Sequence, residues 1–222
     1  MSVRFEEAVI GVQLKHTSVF LGASIPDPDR WVGDYDPREI TDAVVAAARA
    51  VLSAGGTLVS GAHPTMAPLL LYVASEFPVR PGTPRVIIYQ SSLFDSVLPP
   101  AARRFEKEGV GTLRRTPAVP GDTPRPDGWA ASLRLMRETM FGETRPAAGI
   151  FIGGMQGITT ELRLLHELVP RALLYPLAHP GGEAASLLDY APEPIRGMLA
   201  ESTVYPTVFR AVVDDLASRL KS

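Results

Sequence analysis

The chain has 222 residues, which fits one α/β domain, and 45% of them are hydrophobic, enough to bury a large core. The formal net charge of −2 and the lack of basic runs argue against nucleic acid or a membrane surface as partners. The sequence has no cysteine, no apolar signal segment and no apolar run of membrane-spanning length, so thiolate chemistry is excluded and we expect a cytoplasmic protein.

Six short runs predict strands. The apolar residues of the first are continuous rather than alternating, which is typical of a parallel sheet covered on both faces. The six runs span 18–23, 57–60, 85–89, 110–116, 147–152 and 172–177, with 110–116 expected at an edge of the sheet. Residues 1–17 leave a leading strand and an extended arm equally open.

Helical patterns alternate with these runs. In the best-marked helix Asp36 is the N-cap, Pro37 takes the first turn, Glu39 completes a capping-box pattern and Gly55 ends the helix. Further helices are predicted at 65–77, 99–108, 127–141 (capped by Asp127), 159–169, 182–190, 192–201 and 206–220. This alternation predicts a single Rossmann-like α/β domain over residues 1–222, a mostly parallel open sheet with helices on both faces. Its core is expected at about 18–185, followed by C-terminal helices at 192–220.

Small or polar residues stand at or just after the ends of four predicted strands. Open α/β sheets bind ligands at this edge, so together the four ends favour a nucleotide-like ligand held mainly by backbone groups. For each end taken singly, an ordinary turn is the competing interpretation. The residues concerned are Gly22, Ala23, Ser24, Gly61, His63, Thr65, Gly153, Gly154, Gly181 and Gly182.

The stretch IFIGGMQGITTE, residues 150–161, predicts a strand, a tight glycine turn and the start of a helix. Free N–H groups and partial positive charge at such a junction suit a phosphate. Glu161 is expected in the first helical turn, either as a partner of the helix dipole or as a carboxylate facing a ribose hydroxyl or acting as general acid/base. Arg137 is either a solvated helix charge or a bidentate phosphate clamp.

Several other site types are disfavoured. The sequence lacks GxGxxG, the phosphate-binding GxxxxGK[ST] string and the serine-hydrolase GxSxG string. It has four histidines and no close group of metal-ligating residues, so we expect neither a metal nor a cofactor.

The string GGMQGITTE resembles the GG-x-GT-x-x-E signature of the SLOG superfamily. This group includes the Lonely Guy phosphoribohydrolases, the DNA-processing protein DprA, and ligand-sensing domains of TIR-linked defence systems and TRPM channels. Three more segments agree with it in order: FLGAS, GGTLVSGAHPTMAP and YPLAHPGGEAA. The resemblance extends over about residues 18–185.

The resemblance implies roles for particular residues. Lonely Guy enzymes pair the motif glutamate, here Glu161, with an arginine sixteen residues before the first glycine, which is Arg137 here. In those enzymes the pair is thought to act on the N-glycosidic bond of a nucleoside monophosphate. Ligand contacts are implied along the turn and helix start, at Gly153, Gly154, Met155, Gln156, Gly157, Ile158 and Thr159.

Departures from the enzyme pattern favour a sensor. Ile152 replaces the usual proline, one extra residue (Met155 or Gln156) widens the turn, and Ile158 replaces a threonine. The variant is more similar to the ligand-sensing SLOG domains, such as that of the Thoeris effector. We therefore expect a protein that binds a nucleotide or an ADP-ribose derivative, with a Lonely Guy-like phosphoribohydrolase as the alternative. An interaction protein with an inactive pocket is a third possibility. The resemblance also implies a homodimer and, for a sensor, an effector protein partner.

Overall fold

The computed structural model describes residues 13–78, 84–98, 100–124 and 130–221, and these contain one sheet of six parallel strands. The strand order is β4-β3-β2-β1-β5-β6. The predicted fold class is confirmed, and 110–116 does supply an edge strand. The strands are β1 (Ser18–Ser24), β2 (Thr57–Gly61), β3 (Val86–Ser91), β4 (Thr112–Thr116), β5 (Ala148–Gly153) and β6 (Leu173–Leu177).

Helices connect the strands. They are α1 (Pro37–Ser53), α2 (Met66–Ser75), α3 (Pro100–Lys107), α4 (Ala131–Thr144), α5 (Gln156–Leu168), α6 (Glu193–Glu201) and α7 (Tyr205–Arg219). Two segments are 3-10 helices: Ser92–Val97, which was not predicted, and Glu183–Tyr190, which was predicted as an ordinary helix. None of the described helices is long and apolar enough to cross a bilayer.

The core has two layers, one on each face of the sheet. Helices α1, α2 and α7 pack on one face, where Val19 and Leu21 of β1 point. Helices α4 and α5 pack on the other, where Phe20 meets Phe141 and Phe151 at ring-centroid distances of 4.9 and 5.8 Å. Because both faces are covered, the strands are apolar at successive positions, which explains the continuous runs in the sequence.

The N-terminus of α1 corrects one prediction. Asp36 is the N-cap as expected, and its carboxylate accepts hydrogen bonds from the backbone N–H of Arg38 (2.8 Å) and Glu39 (3.0 Å). Glu39 does not complete a capping box, because the Asp36 N–H donates instead to the carbonyl of Pro180 (2.9 Å). The Glu39 carboxylate turns to Tyr205, whose hydroxyl donates to it (3.1 Å), and to His179 (2.9 Å). This end of α1 is therefore joined to α7 and to the loop after β6.

The N-termini of α4 and α5 were both predicted from the sequence. Asp127, the predicted cap of α4, lies outside the described residues. The carboxylate of Asp122 accepts a hydrogen bond from the backbone N–H of Ser132, in the first turn of α4 (2.7 Å). Helix α5 begins at Gln156, three residues before the predicted start at Thr159, and this shift changes the geometry of the candidate site.

Candidate functional site

A cavity of about 410 Å³ opens at the carboxyl ends of β1, β2, β3 and β5. Strand β1 lies between β2 and β5, so the connections that follow β1 and β5 leave in opposite directions and a crevice forms between them. Of the residues predicted from the sequence, those that line this cavity are Gly22, Ala23, Ser24, Gly61, His63, Arg137, Met155, Gln156, Gly157, Ile158 and Glu161.

The glycine turn after β5 shapes one wall. Gly153 and Gly154 have φ angles of +61° and +71°, in the left-handed region that favours glycine. The Gly154 N–H donates to the carbonyl of Ser24 (2.6 Å), so the turn is fixed to the end of β1. Helix α5 then starts at once, and the N–H groups of Gln156 and Gly157 lie in its first turn, where a helix provides no internal acceptor.

Glu161 lies in the second turn of α5, which corrects the prediction that placed it in the first turn. The earlier helix start moves its carboxylate away from the free N–H groups and toward α4. There Arg137 Nε and Nη2 each lie 3.1 Å from Glu161 Oε1. The side chains of Arg137 and Glu161 are only 12% and 16% exposed.

Burial raises the pKa of Glu161, and the Arg137 guanidinium opposes that rise. The pair spans α4 and α5 at the cavity wall. Within the described residues, the second carboxylate oxygen of Glu161, Oε2, accepts no hydrogen bond. A carboxylate with one oxygen held by an arginine and the other unoccupied can accept from a ligand hydroxyl or take up a proton.

Gly22 makes room for this carboxylate. A Cβ at position 22 would lie 2.8 Å from Glu161 Oε2 and 2.9 Å from Phe20 Cε1, closer than such atoms approach. Gly22, near the end of β1, therefore leaves the space that the Glu161 carboxylate occupies. Gly22 also lines the cavity.

The glycine pair after β6, Gly181 and Gly182, packs against the glycine pair after β5. A Cβ at Gly182 would lie 2.7 Å from the carbonyl carbon of Gly153, a backbone-to-backbone approach. The Glu183 N–H donates to the Gly154 carbonyl (2.9 Å), and the Glu183 carboxylate accepts a hydrogen bond from the Thr159 hydroxyl.

The predicted site residues that are absent from the cavity wall are Thr65, Gly153, Gly154, Thr159, Gly181 and Gly182.

His63 stands at the mouth of the cavity. Its Nδ1 lies 2.9 Å from the hydroxyl of Thr65, which is how Thr65 contacts the site. Protein atoms around the ring lower the pKa of His63 by desolvation, so its neutral form is favoured near pH 7.

The sequence reasoning missed part of the wall. Gln90 and Ser91 line it, although they stand at the end of β3 in the same way that glycines and serines end the other strands. The same edge rule would have found them. The apolar residues of the wall could not be told from core residues by pattern; they include Phe94, Val97, Leu133 and Met136.

Two further recesses lie nearby or on another face. A recess of about 490 Å³ between α4 and α5 shares Arg137 and Gln156 with the cavity and adds Arg134 and Arg163. A larger one, about 820 Å³, lies between α1 and α7, away from Arg137 and Glu161. Within the described residues, no group of three or more His, Asp or Glu side chains could hold a metal ion.

Comparison with known families agrees with the fold and the motif. A family model described as the SLOG cluster3 family matches residues 30–213, a range that contains the glycine turn, Arg137, Glu161 and the glycine pair after β6. No curated protein matches the chain. Membership supports a nucleotide-related ligand-binding or processing role in general. Since the match extends over most of the sequence, the chain belongs to the SLOG cluster3 family.

Proposed function

We propose that the chain binds a nucleotide or an ADP-ribose derivative at the carboxyl edge of its sheet and acts as a sensor. The observation that carries this proposal is the cavity between β1 and β5, with the start of α5 and the Arg137–Glu161 pair in its wall. An anion-binding helix start and a carboxylate for hydroxyls are the two groups that a ribose phosphate requires.

Each part of the ligand has a counterpart in the wall. The N–H groups of Gln156 and Gly157 suit a phosphate, and the Arg137 guanidinium, close to Gly157, adds positive charge. Oε2 of Glu161 suits a ribose hydroxyl. The apolar side chains of Phe94 and Met136 suit the face of a base.

The neighbouring recess favours a ligand with more than one phosphate. A cavity of about 410 Å³ is near the lower end of the range for small-molecule sites, which suits a single nucleotide. The α4–α5 recess continues from it at Arg137 and Gln156. Arg163 in its wall makes no ion pair with a described residue, whereas Arg134 is paired with Glu138 at 2.7 Å. A pyrophosphate or a second ribose phosphate would extend into this recess, as in an ADP-ribose derivative.

A second candidate function is phosphoribohydrolase activity, and the buried carboxylate favours it. A raised pKa suits a group that exchanges protons near neutral pH. Glu161 would take a proton from water as the water oxygen bonds to C1′ of the ribose. The N-glycosidic bond would break, the base would leave with its electron pair and gain a proton, and ribose 5-phosphate would remain.

One experiment separates the two functions. The chain and Glu161→Gln are incubated with nucleoside monophosphates, NAD and ADP-ribose while thermal stability and free base are measured. A rise in melting temperature without base release supports the sensor, since ligand at 100 times its Kd adds about 2.7 kcal/mol. Base release that Glu161→Gln abolishes supports the hydrolase. Neither response with any compound would contradict both functions.

As a sensor, the chain would need an output. We propose that it acts as a homodimer or through an effector protein that recognises the ligand-bound form. Size-exclusion chromatography, with and without a compound that raises the melting temperature in the preceding experiment, tests the first arrangement.

A further inference from the structure

The side-chain amide of Gln90 has no hydrogen-bond partner in the described part of the chain. The residue lies one position before the end of β3, is only 4% exposed and contributes to the wall of the cavity. Its side-chain amide makes no hydrogen bond to any described residue. Neither amide atom is wholly enclosed by protein, so at the cavity wall the group is available to pair with a ligand.

The neighbouring polar side chains behave differently. The Ser60 hydroxyl donates to the carbonyl of Leu21 (2.7 Å), and the Ser91 hydroxyl accepts from the N–H of Leu93 (3.3 Å). Each of these serines has a partner within the protein and is explained by the fold. Gln90 is as buried as they are, at 4% against 5% and 1%, yet has none.

The position of Gln90 suits the base of a nucleotide. Strand β3 is separated from β5 by β2 and β1, so Gln90 lies three strand spacings from the turn that leads into α5, about 14 Å. A nucleotide with its phosphate at the start of α5 would extend across β1 and β2 toward β3. Phe94 and Val97, which follow β3, line the same end of the cavity.

The amide presents a donor beside an acceptor. The edge of adenine that carries the 6-amino group and N7 offers the complementary acceptor and donor, and glutamine pairs with it through two hydrogen bonds. Carboxylates and guanidinium groups cannot offer both in one group. We propose that Gln90 determines specificity by reading this edge of adenine, so that the ligand is an adenine nucleotide. This assignment rests on the proposed function, which positions the phosphate at α5.

The test compares the wild-type chain with Gln90→Met, which keeps the length of the side chain and removes both polar atoms. Dissociation constants are measured by calorimetry for AMP, for purine riboside 5′-monophosphate, which lacks the amino group, and for ribose 5-phosphate. We expect the wild-type chain to bind AMP about tenfold to a hundredfold more tightly than either analogue. In Gln90→Met the affinities for AMP and for purine riboside 5′-monophosphate should become similar, and binding of ribose 5-phosphate should be unchanged.

Two controls separate base reading from a structural role. Gln90→Met should be about as stable as the wild-type chain without ligand, because the amide that it removes makes no hydrogen bond to any described residue. Gln13→Met, at the α1–α7 recess, should keep the preference for AMP. Gln90→Glu keeps the shape and an acceptor but loses the donor, so it should also lose the preference.

The outcomes are distinct. Equal binding of AMP and purine riboside 5′-monophosphate by the wild-type chain would overturn the role of Gln90 and leave the proposed function intact. ADP-ribose, which carries the same adenine, is measured as well, and equally tight binding of it by Gln90→Met and the wild-type chain would also overturn that role. No binding of any of these ligands would overturn the proposed function and the role of Gln90 together.

Discussion

At the scale of single residues, the buried pair of Arg137 and Glu161 dominates the electrostatics of the site. Arg137 belongs to α4 and Glu161 to α5, and each is largely removed from water. Removing one partner leaves the other charge buried without compensation, which is far more costly than the net value of the pair. The pair is therefore a sensitive point for substitution.

Arg137→Met should destabilise the chain in a pH-dependent way. The pKa of Glu161 is already raised by burial, and it should rise further without the arginine that opposes that effect. The folded state then binds a proton more tightly than the unfolded state. The free energy of unfolding therefore falls as the pH rises from the pKa of Glu161 in the unfolded chain to its higher pKa in the folded chain. We expect a loss of about 3–5 kcal/mol at pH 8, shrinking toward pH 5.

Urea unfolding at pH 5 and pH 8 measures this effect. Arg134→Met, on the same helix, is the matched control because Arg134 is exposed and, among the described residues, forms its ion pair with Glu138 alone. Its effect should stay below about 1 kcal/mol at both pH values. A loss for Arg137→Met that is equal at both pH values would contradict the role given to Glu161.

Gly22→Ala should displace the Glu161 carboxylate, because the new Cβ would lie 2.8 Å from Oε2. We expect destabilisation of about 1–3 kcal/mol, typical of overpacking, together with weaker ligand binding. Gly61→Ala is the control: Gly61 also ends a strand at the cavity, but its Cβ would meet only Met136 Cε at 3.7 Å. Thermal unfolding with and without AMP measures both effects, and equal behaviour of the two variants would refute the steric argument.

At the scale of elements, the glycine turns after β5 and β6 form one packed unit. Gly182 lies against the backbone of Gly153, Gly181 pairs with Tyr35 in an isolated bridge, and the Asp36 N–H donates to Pro180. The start of α1 and the turn before α5 are thus joined through the loop that follows β6.

Gly182→Ala tests this packing, with Gly109→Ala as its control. Both glycines have φ of +74°, but Gly182 has ψ of −172°, a combination essentially restricted to glycine, so its substitution carries backbone strain in addition to the contact. At Gly109 a Cβ would meet nothing within 4 Å, whereas at Gly182 it would meet Gly153 at 2.7 Å. We expect Gly182→Ala to cost at least about 1 kcal/mol more than Gly109→Ala in chemical denaturation. Equal costs would contradict the constraint that the backbone conformation and the close contact place on Gly182.

The element pattern was largely predictable, and its limits are physical. Continuous apolar runs predict the strands because both faces of the sheet are covered. The start of α5 was placed three residues late, since two of the three residues from Gln156 to Ile158 are not strong helix formers and the pattern of leucines begins later. The glycine turn fixes the earlier start through tertiary contacts. The partners of Glu39 lie in α7 and after β6, which local sequence cannot indicate.

At the scale of the whole molecule, the protection of backbone amides against hydrogen exchange should depend on the position of each strand in the sheet. Strands β1 and β5 each have two neighbours, pair with each other over six residue pairs and are covered on both faces. Strand β4 has one neighbour, and its Arg114 and Arg115 are exposed. The free energy of opening is therefore expected to be highest in the centre.

Native-state hydrogen exchange measures this gradient. Amides of β1 and β5 should exchange only through global unfolding, and amides of β4 should exchange through local opening at lower free energy. Exchange from β4 as slow as that from β1 would contradict the expected gradient.

The candidate site was predictable where its chemistry rests on the sheet edge. The motif indicates the glycine turn and Glu161, whereas the pairing of Arg137 with Glu161 was implied by the resemblance. Gln90 follows a run of apolar residues and has no neighbouring motif, so only its burial without a partner marks it. Contacts between distant segments, rather than local pattern, define this end of the cavity.

The hydrogen bonds that hold the glycine turn have a kinetic consequence. Gly154 is bound on one side by Ser24 and on the other by Glu183, so the N–H groups at the start of α5 are oriented before any ligand arrives. A phosphate would meet a receptor that is already in shape, with no loop to order on contact. Association should then be limited by diffusion and orientation, and ligands of different affinity should differ mainly in how long they stay bound.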